Sequence, residues 1–436
     1  AHAGAEAPRT INGHRATSGQ VANGPGRARG ARQRMRPAIQ VLEDEQFELV
    51  LGEALRILDE VGVKIAGAPM RERLLDAGFS ADPAGGRIRF PADKVRAALD
   101  SVPGAFMLYD RDGDPYAEMG VGQSHFAPGS SGLNILDHRS GEHREAVTAD
   151  FVEYIKVGHG LKHIDMLATS FSSKEVEPLI SDAWRLYLLL RHTTKSFVSG
   201  AFSEHAVPRL VQLMQLYRRD AVDLAARPMA ICTITAAGQF TYNEDSCQNL
   251  IDFVEAGVPV EIVPITLMGL NAPVTILGAL AFHTAEVLAG VTMAQLVKPG
   301  APTLFGGSAA AFHMQNTTSP MTGIEALRLT ASSSLMGKRL GMPTQAYTSF
   351  SEAKVLDAQA GAETAFGALL AVTSGMDSIS GPGMLDYLLT FSLPKLVIDD
   401  EIAGQVLHFR GDVQLAGDIP SSDIISEMLS EITGHR

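Results

Sequence analysis

At 436 residues, with 45% apolar and 19% charged positions, the chain is long enough for one large core and too apolar to be disordered over most of its length. Two cysteines, Cys232 and Cys247, exclude a disulfide scaffold and a multi-cysteine zinc site and suit a reducing, cytoplasmic setting. The formal charge is −13, yet residues 1–37 hold seven arginines against Glu6; that tail alone is +6 and the remainder −19, which disfavours a nucleic-acid function for the body.

Residues 1–37 contain no apolar run and are expected to be a disordered basic tail. They lack the apolar stretch and cleavage pattern of a signal peptide. Residues 38–120 are expected to form an N-terminal cap of helices and a small sheet. Helical spacing of Leu42, Leu49, Val50, Leu55, Ile57 and Leu58 is followed by short strands over Arg87–Phe90 and Ala105–Tyr109. From residue 121 to 410 the pattern becomes regular. Apolar runs at Ser124–Pro128, Ile164–Ser170, Ser196–Ala201, Met229–Thr235, Val260–Thr266, Pro302–Gly306, Pro343–Thr348 and Asp377–Gly381 recur 31 to 42 residues apart, with helical periods between them. Eight such units predict an α/β fold, a (β/α)8 TIM barrel carrying the cap, with residues 411–436 as a C-terminal extension. The apolar stretch Val274–Val297 is long enough to span a bilayer, but His283, Thr284 and Glu286 at its centre make it a barrel helix.

In this fold chemistry sits in loops leaving the C-terminal ends of the strands. Gly306–Gly307 and Gly381–Pro382–Gly383 suit either a phosphate or tight turns. No dinucleotide or Walker fingerprint occurs, His159 and His163 fall at the wrong end of the barrel, and no three-ligand zinc set or catalytic triad is present. The loops offer rings and acids instead: Phe171, Glu204, Gln239, Phe240, Tyr242, His313, Phe350 and Glu352, with Gln345 and Tyr347 on the seventh strand. Rings with carboxylates suit a cationic ammonium guest, although Phe350 packing inward and Glu352 and Lys354 capping the next helix would account for some of the same residues. A Schiff-base lyase is disfavoured, because Lys195 begins the third strand and Lys354 is expected to start a helix.

The stretch Tyr347–Glu363 (YTSFSEAKVLDAQAGAE), with Gly341–Met342–Pro343 before it, resembles the trimethylamine methyltransferase family of corrinoid-dependent enzymes; so do Phe126–Gly129 and Asp377–Gly381. The resemblance covers residues 41–410. It implies a barrel that passes a methyl group from a methylated amine to Co(I) of a separate corrinoid protein. The founding methylamine enzymes carry pyrrolysine at the barrel mouth, whereas this sequence holds only standard residues. A quaternary ammonium leaves as a neutral amine and needs no activating group, so the resemblance points to glycine betaine or a related betaine. The alternatives are a tertiary-amine methyltransferase and a non-catalytic quaternary-amine-binding barrel. No Asp-x-His-x-x-Gly cobalt-ligand pattern occurs, so no cofactor is expected to be tightly bound; a partner must bring the corrinoid. Neither a membrane nor nucleic acid is an expected partner, and homo-oligomerisation is left open. For the carboxylate of a betaine, His313, Asn271 and the Gly306–Gly307 amides are candidate binders.

Overall fold

Eight parallel strands close on themselves. They are His125–Ala127, Leu167–Ala168, Phe197–Gly200, Ala230–Ala236, Val260–Met268, a divided sixth strand (Thr303–Phe305 and Ser308–Ala311), Gln345–Tyr347 and Ser378–Ser380. Each overlaps one of the eight apolar runs, except that the second piece of the sixth strand, Ser308–Ala311, lies beyond Pro302–Gly306 in a stretch whose sequence reads as loop. The eighth strand pairs with both the seventh and the first. Met166 N–H donating to Phe126 O at 3.1 Å joins the first strand to the second, and a bridge between Phe305 and Thr344 joins the sixth to the seventh. In a closed barrel no strand edge is left unpaired, and alternate residues of every strand must point inward.

The computed structural model describes residues 36–82, 86–130, 132–201, 205–413 and 421–434. Arg36–Gly411 is one compact unit holding cap and barrel together. A second unit comprises Ala1–Met35 and Asp412–Arg436, and its described part carries the helix Ser422–Gly434. The expectation for the basic tail lies outside the described residues up to Met35.

The cap has two jobs. Its hairpin, Phe106–Tyr109 with Pro115–Met119, buries Leu108, Ala117 and Met119 against Ala127, Met166, Ala168, Val198, Ile231 and Leu304, the lowest inward-facing layer of the barrel. This plugs the N-terminal end, opposite the face where chemistry is expected. A second piece, Lys64–Ile65, pairs with Thr241–Tyr242 in the loop after the fourth strand and ties that loop down.

Helix Ile276–Val297, the stretch long enough to cross a membrane, is buried on nearly all sides, packed against the fifth strand and against helices Asp44–Glu60, Ala92–Ser101 and Ile324–Arg339. Its polar centre is only partly satisfied: Glu286 Oε1 accepts from Phe240 N–H at 2.9 Å, while Thr284 Oγ1 and Glu286 Oε2 have no partner among the described residues, and burial pushes the Glu286 pKa up to about 7. His283 bonds Thr266 Oγ1 at 2.8 Å and Gly306 O at 3.1 Å, and burial holds its pKa down at about 4. Local signals set the other helices: Asn243 accepts from Ser246 N–H at 2.7 Å to start Glu244–Glu255, which ends before the left-handed Gly257. Asp357, not Glu352 or Lys354, caps Ala358–Thr373, so Lys354 lies in the preceding loop rather than opening the helix.

Close packing of helix Ala358–Thr373 on the barrel depends on Gly367, where a Cβ would run into the Thr348 carbonyl at the end of the seventh strand. Gly367→Ala is expected to destabilise the protein by about 1–3 kcal/mol through overpacking, read as a lowered Tm. An unchanged Tm would show that helix and strand separate freely.

Candidate active site at the barrel mouth

Above the apolar plug layer the barrel interior turns polar. Thr233 of the fourth strand stands in register with Glu261 of the fifth, and Thr235 with Val263 one level up. Period-2 alternation puts residues 261, 263 and 265 on the inner face. Glu261 is therefore a carboxyl inside a closed barrel, with no exposed surface. Its Oε1 accepts from Thr233 Oγ1 at 2.7 Å, and its Oε2 has no hydrogen-bond partner among the described residues. Burial pushes its pKa up to about 7.

Over this level lies a cavity of about 370 Å³. Ser130, Thr169, Thr233, Thr235 and Ser308 give it hydroxyls, Val263 and Ile265 give it aliphatic wall, and Tyr347 and Tyr387 give it two rings. The Tyr347 hydroxyl lies 3.0 Å from Ser130 Oγ, and burial, followed by the nearby Glu261, pushes that phenol well above its ordinary pKa. A second cavity of about 360 Å³ adjoins the first. It shares Ile265, Ser308, Tyr387 and Leu389 with it and adds Leu267, Ala310 and Met321.

Of the residues singled out from sequence, Tyr347 lines the cavity and Gln345 stands behind it. The Gln345 Oε1 accepts from Gly307 N–H at 3.3 Å. Glu352 acts indirectly: its carboxylate accepts from the Met321 and Thr322 N–H groups, the latter at 3.0 Å, and so holds the segment that brings Met321 to the outer cavity. Phe350 is fully buried and turned into the core rather than toward the mouth. Phe171 packs in a cluster of rings with Phe151, Tyr154 and Phe391, at centroid distances of 5.1 to 5.8 Å. Phe240 leans on Phe282 at 4.4 Å and donates its N–H to Glu286 Oε1, while Tyr242 is buried and donates its hydroxyl to Glu286 O at 2.8 Å. Gln239 and His313 are exposed and line neither cavity. Glu204 lies outside the described residues.

The glycine turns are also occupied. Gly306 N–H donates to Ile262 O, Gly381 N–H to Ala127 O and Gly383 N–H to Asp399 Oδ2, so these amides serve the barrel rather than a phosphate. Asn271 spends both ends of its amide on the Leu267 N–H and Ile265 O of its own turn.

Sequence reasoning passed over Glu261 and Tyr387. The first had a signal: a charge inside the apolar run Val260–Thr266, on a strand whose alternate residues must face the barrel axis. The second had none, because a left-handed turn over Asp386, Tyr387 and Leu388 without a glycine leaves no mark in the sequence.

Residues 10–435 match the sequence pattern of the family described as trimethylamine methyltransferase (MTTB). The chain belongs to this family. It is 24% identical over 394 residues to the glycine betaine methyltransferase of Desulfitobacterium hafniense (strain Y51), covering 90% of this chain and 82% of that protein. It is 26% identical over 375 residues to the trimethylamine methyltransferase MttB of Methanosarcina barkeri (strain Fusaro / DSM 804), covering 83% and 74%. The crystal structure of the Methanosarcina barkeri monomethylamine methyltransferase (MtmB) superposes with a TM-score of 0.56 at 12% identity, over 85% of this chain and 80% of that one, which shows the shared barrel fold. The chain is thus a methyltransferase built on a (β/α)8 barrel, as its strand spacing and its seventh-strand motif imply.

The raised pKa of Glu261 gives a stability signature. The native state keeps this proton up to about pH 7, whereas the unfolded chain releases it near 4.5, so native stability falls as pH rises through that window. Glu261→Gln is expected to match the parent at pH 4 to 5 and to exceed it by about 2–4 kcal/mol at pH 8. Thermal or denaturant unfolding at the two pH values checks this; a variant less stable at pH 8 would mean that a partner holds the carboxylate ionised.

Proposed function

We propose that the protein transfers an N-methyl group from a quaternary ammonium compound, glycine betaine or a related betaine, to Co(I) of a separate corrinoid protein. The observation that carries this reading is the Glu261 carboxyl, buried with one oxygen unpartnered beneath a cavity that has hydroxyls and two tyrosine rings in its walls. A permanent cation entering there supplies the missing counter-charge and meets the negative faces of the rings. Thr233 holds one carboxylate oxygen and leaves the other for the guest.

The chemistry asks little of the protein. Co(I) attacks the methyl carbon, the Co–C bond forms as the C–N bond breaks, and the electron pair of that bond stays on nitrogen, giving methyl-Co(III) and a neutral tertiary amine. No proton moves. The site contributes alignment of the methyl group toward the open end of the barrel and exclusion of water. Tyr347, with Gln345 behind it, and Glu352 acting through Met321 are its proposed supporting residues. The corrinoid is a co-substrate brought by the partner protein, and a cytoplasmic setting keeps Cys232 and Cys247, both buried and unpaired, reduced.

A second reading rests on the same carboxyl. Near pH 7 Glu261 could hand its proton to a tertiary amine, which would then also leave as a neutral molecule. Methyl transfer to Co(I) cobalamin, followed spectroscopically with glycine betaine and with trimethylamine, separates the two. Turnover with glycine betaine and accumulation of dimethylglycine are expected; turnover with trimethylamine alone would refute the quaternary-amine reading. Because only ionised Glu261 balances the cation, KM for glycine betaine is expected to fall as pH rises from 6 to 8, and Glu261→Gln should raise KM and flatten that dependence. A pH-independent KM in the parent would remove Glu261 from the donor site.

A further inference from the structure

The loop leaving the eighth strand adopts a backbone that its sequence does not favour. Asp386, Tyr387 and Leu388 have φ values of 50°, 57° and 66°, three successive residues in the left-handed region with no glycine among them. Side chains at such positions crowd the backbone, and runs of them persist only where surrounding contacts hold them and the side chain is needed. Here the contacts are visible. Short antiparallel strands Met384–Leu385 and Thr390–Phe391 pin the two ends. Asp386 N–H donates to Ala353 O at 3.1 Å, Leu389 N–H to Asp386 O at 3.0 Å, and the Asp386 carboxylate pairs with the Lys354 ammonium from the loop after the seventh strand. The same Lys354 Nζ sits 5.3 Å from the centre of the Tyr387 ring.

The strained turn places Tyr387 on the boundary between the two cavities, in the wall of each. We propose that Tyr387 is a specificity-determining residue of the methyl-donor site. Held by the Lys354–Asp386 pair, its ring walls the chamber above Glu261 around a trimethylammonium group and separates that chamber from the outer, more apolar one. This inference rests on the quaternary-amine reading. Donors that fit the inner chamber depend on the ring, whereas a donor with a longer carbon chain must pass it and reach the surface of Leu267, Ala310 and Met321. A turn shaped only by folding would be served better by glycine, so the penalty at position 387 is retained for the ring.

The test compares Tyr387→Phe, Tyr387→Ala and Tyr387→Gly with the parent, using Co(I) cobalamin as acceptor and two donors, glycine betaine and 4-trimethylammoniobutyrate. The alanine variant is expected to raise KM for glycine betaine about 3- to 30-fold with little change in kcat, and to leave KM for the longer donor much less affected or lowered. The phenylalanine variant keeps the ring and should keep the parent's preference between the two donors, with KM for glycine betaine raised less than in Tyr387→Ala. Tyr387→Gly should have a Tm at or above that of Tyr387→Ala, through relief of the left-handed backbone, while showing the same KM defect. Lys354→Met, which breaks the Asp386 pair and removes the cation over the Tyr387 ring but keeps the ring itself, should raise KM for glycine betaine less than Tyr387→Ala does. Native turnover with KM unchanged in Tyr387→Ala, or raised equally for both donors, overturns the inference and leaves the quaternary-amine reading standing. Absence of turnover by the parent with either donor overturns both.

Discussion

A carboxyl group inside a closed barrel is the constraint around which the mouth is organised. Burying an ion without a partner is among the costliest things a fold can do, and the usual escape is neutralisation through a shifted pKa. Glu261 takes that escape only halfway. Its pKa near 7 leaves it poised between neutral and charged at physiological pH, with Thr233 as its one hydrogen-bonding support among the described residues. Glutamine in the same space would avoid the desolvation cost. A glutamate here accords with a site whose occupant carries the compensating charge, and the hydroxyl and aromatic walls above it extend the same chemistry.

What keeps that site open is a supporting layer in which backbone groups at the mouth already have partners. The sixth strand breaks at Gly306–Gly307, and the break is spanned from inside by Gln345 and from outside by His283, whose Nε2 meets Gly306 O. On the far side of the mouth, Asp399 accepts from Gly383 N–H at 2.7 Å while Lys395, itself fully buried, bonds both Asp399 and Thr364 Oγ1. Two helices and the loop after the eighth strand are thereby joined through one buried ion pair. Such pairs add little net stability, but breaking one leaves a buried charge, so they fix geometry well. Placement of this kind is what a reaction driven by alignment requires.

The architecture was legible because each strand of a barrel is buried on both sides and each helix on one, so the sequence alternates apolar runs with 3.6-residue periods. The site was less legible, for a reason visible at Phe171, Tyr242 and Phe350. A ring that follows a barrel strand can turn toward the mouth or back over the strand end into the helical layer, and position in the sequence does not say which. Phe171 found Tyr154 and Phe391; Tyr242 found the Glu286 carbonyl; Phe350 found the core. Among these rings Tyr347, within a barrel strand and therefore subject to alternation, could be placed by rule. Glu261 could have been placed by the same rule. Tyr387 could not, because its position depends on a left-handed turn that backbone preference assigns to glycine or asparagine.

The proposed chemistry also fits the poise of Glu261 through the cycle. A carboxylate that binds a cation stabilises the ground state more than a transition state in which that positive charge is fading, so it supplies affinity rather than acceleration. Acceleration must then come from alignment and dryness, in agreement with walls that offer hydroxyls and rings. Once the methyl group has left, the amine is neutral and the carboxylate is again an uncompensated buried charge, driven toward protonation by the desolvation that set its pKa near 7. The attraction that drew the donor in is thereby weakened for as long as the product amine stays unprotonated. A carboxyl permanently ionised by a lysine would attract no donor, and one fully neutral at pH 7 would offer no counter-charge; an intermediate pKa allows capture of a cation and release of an amine at the same position.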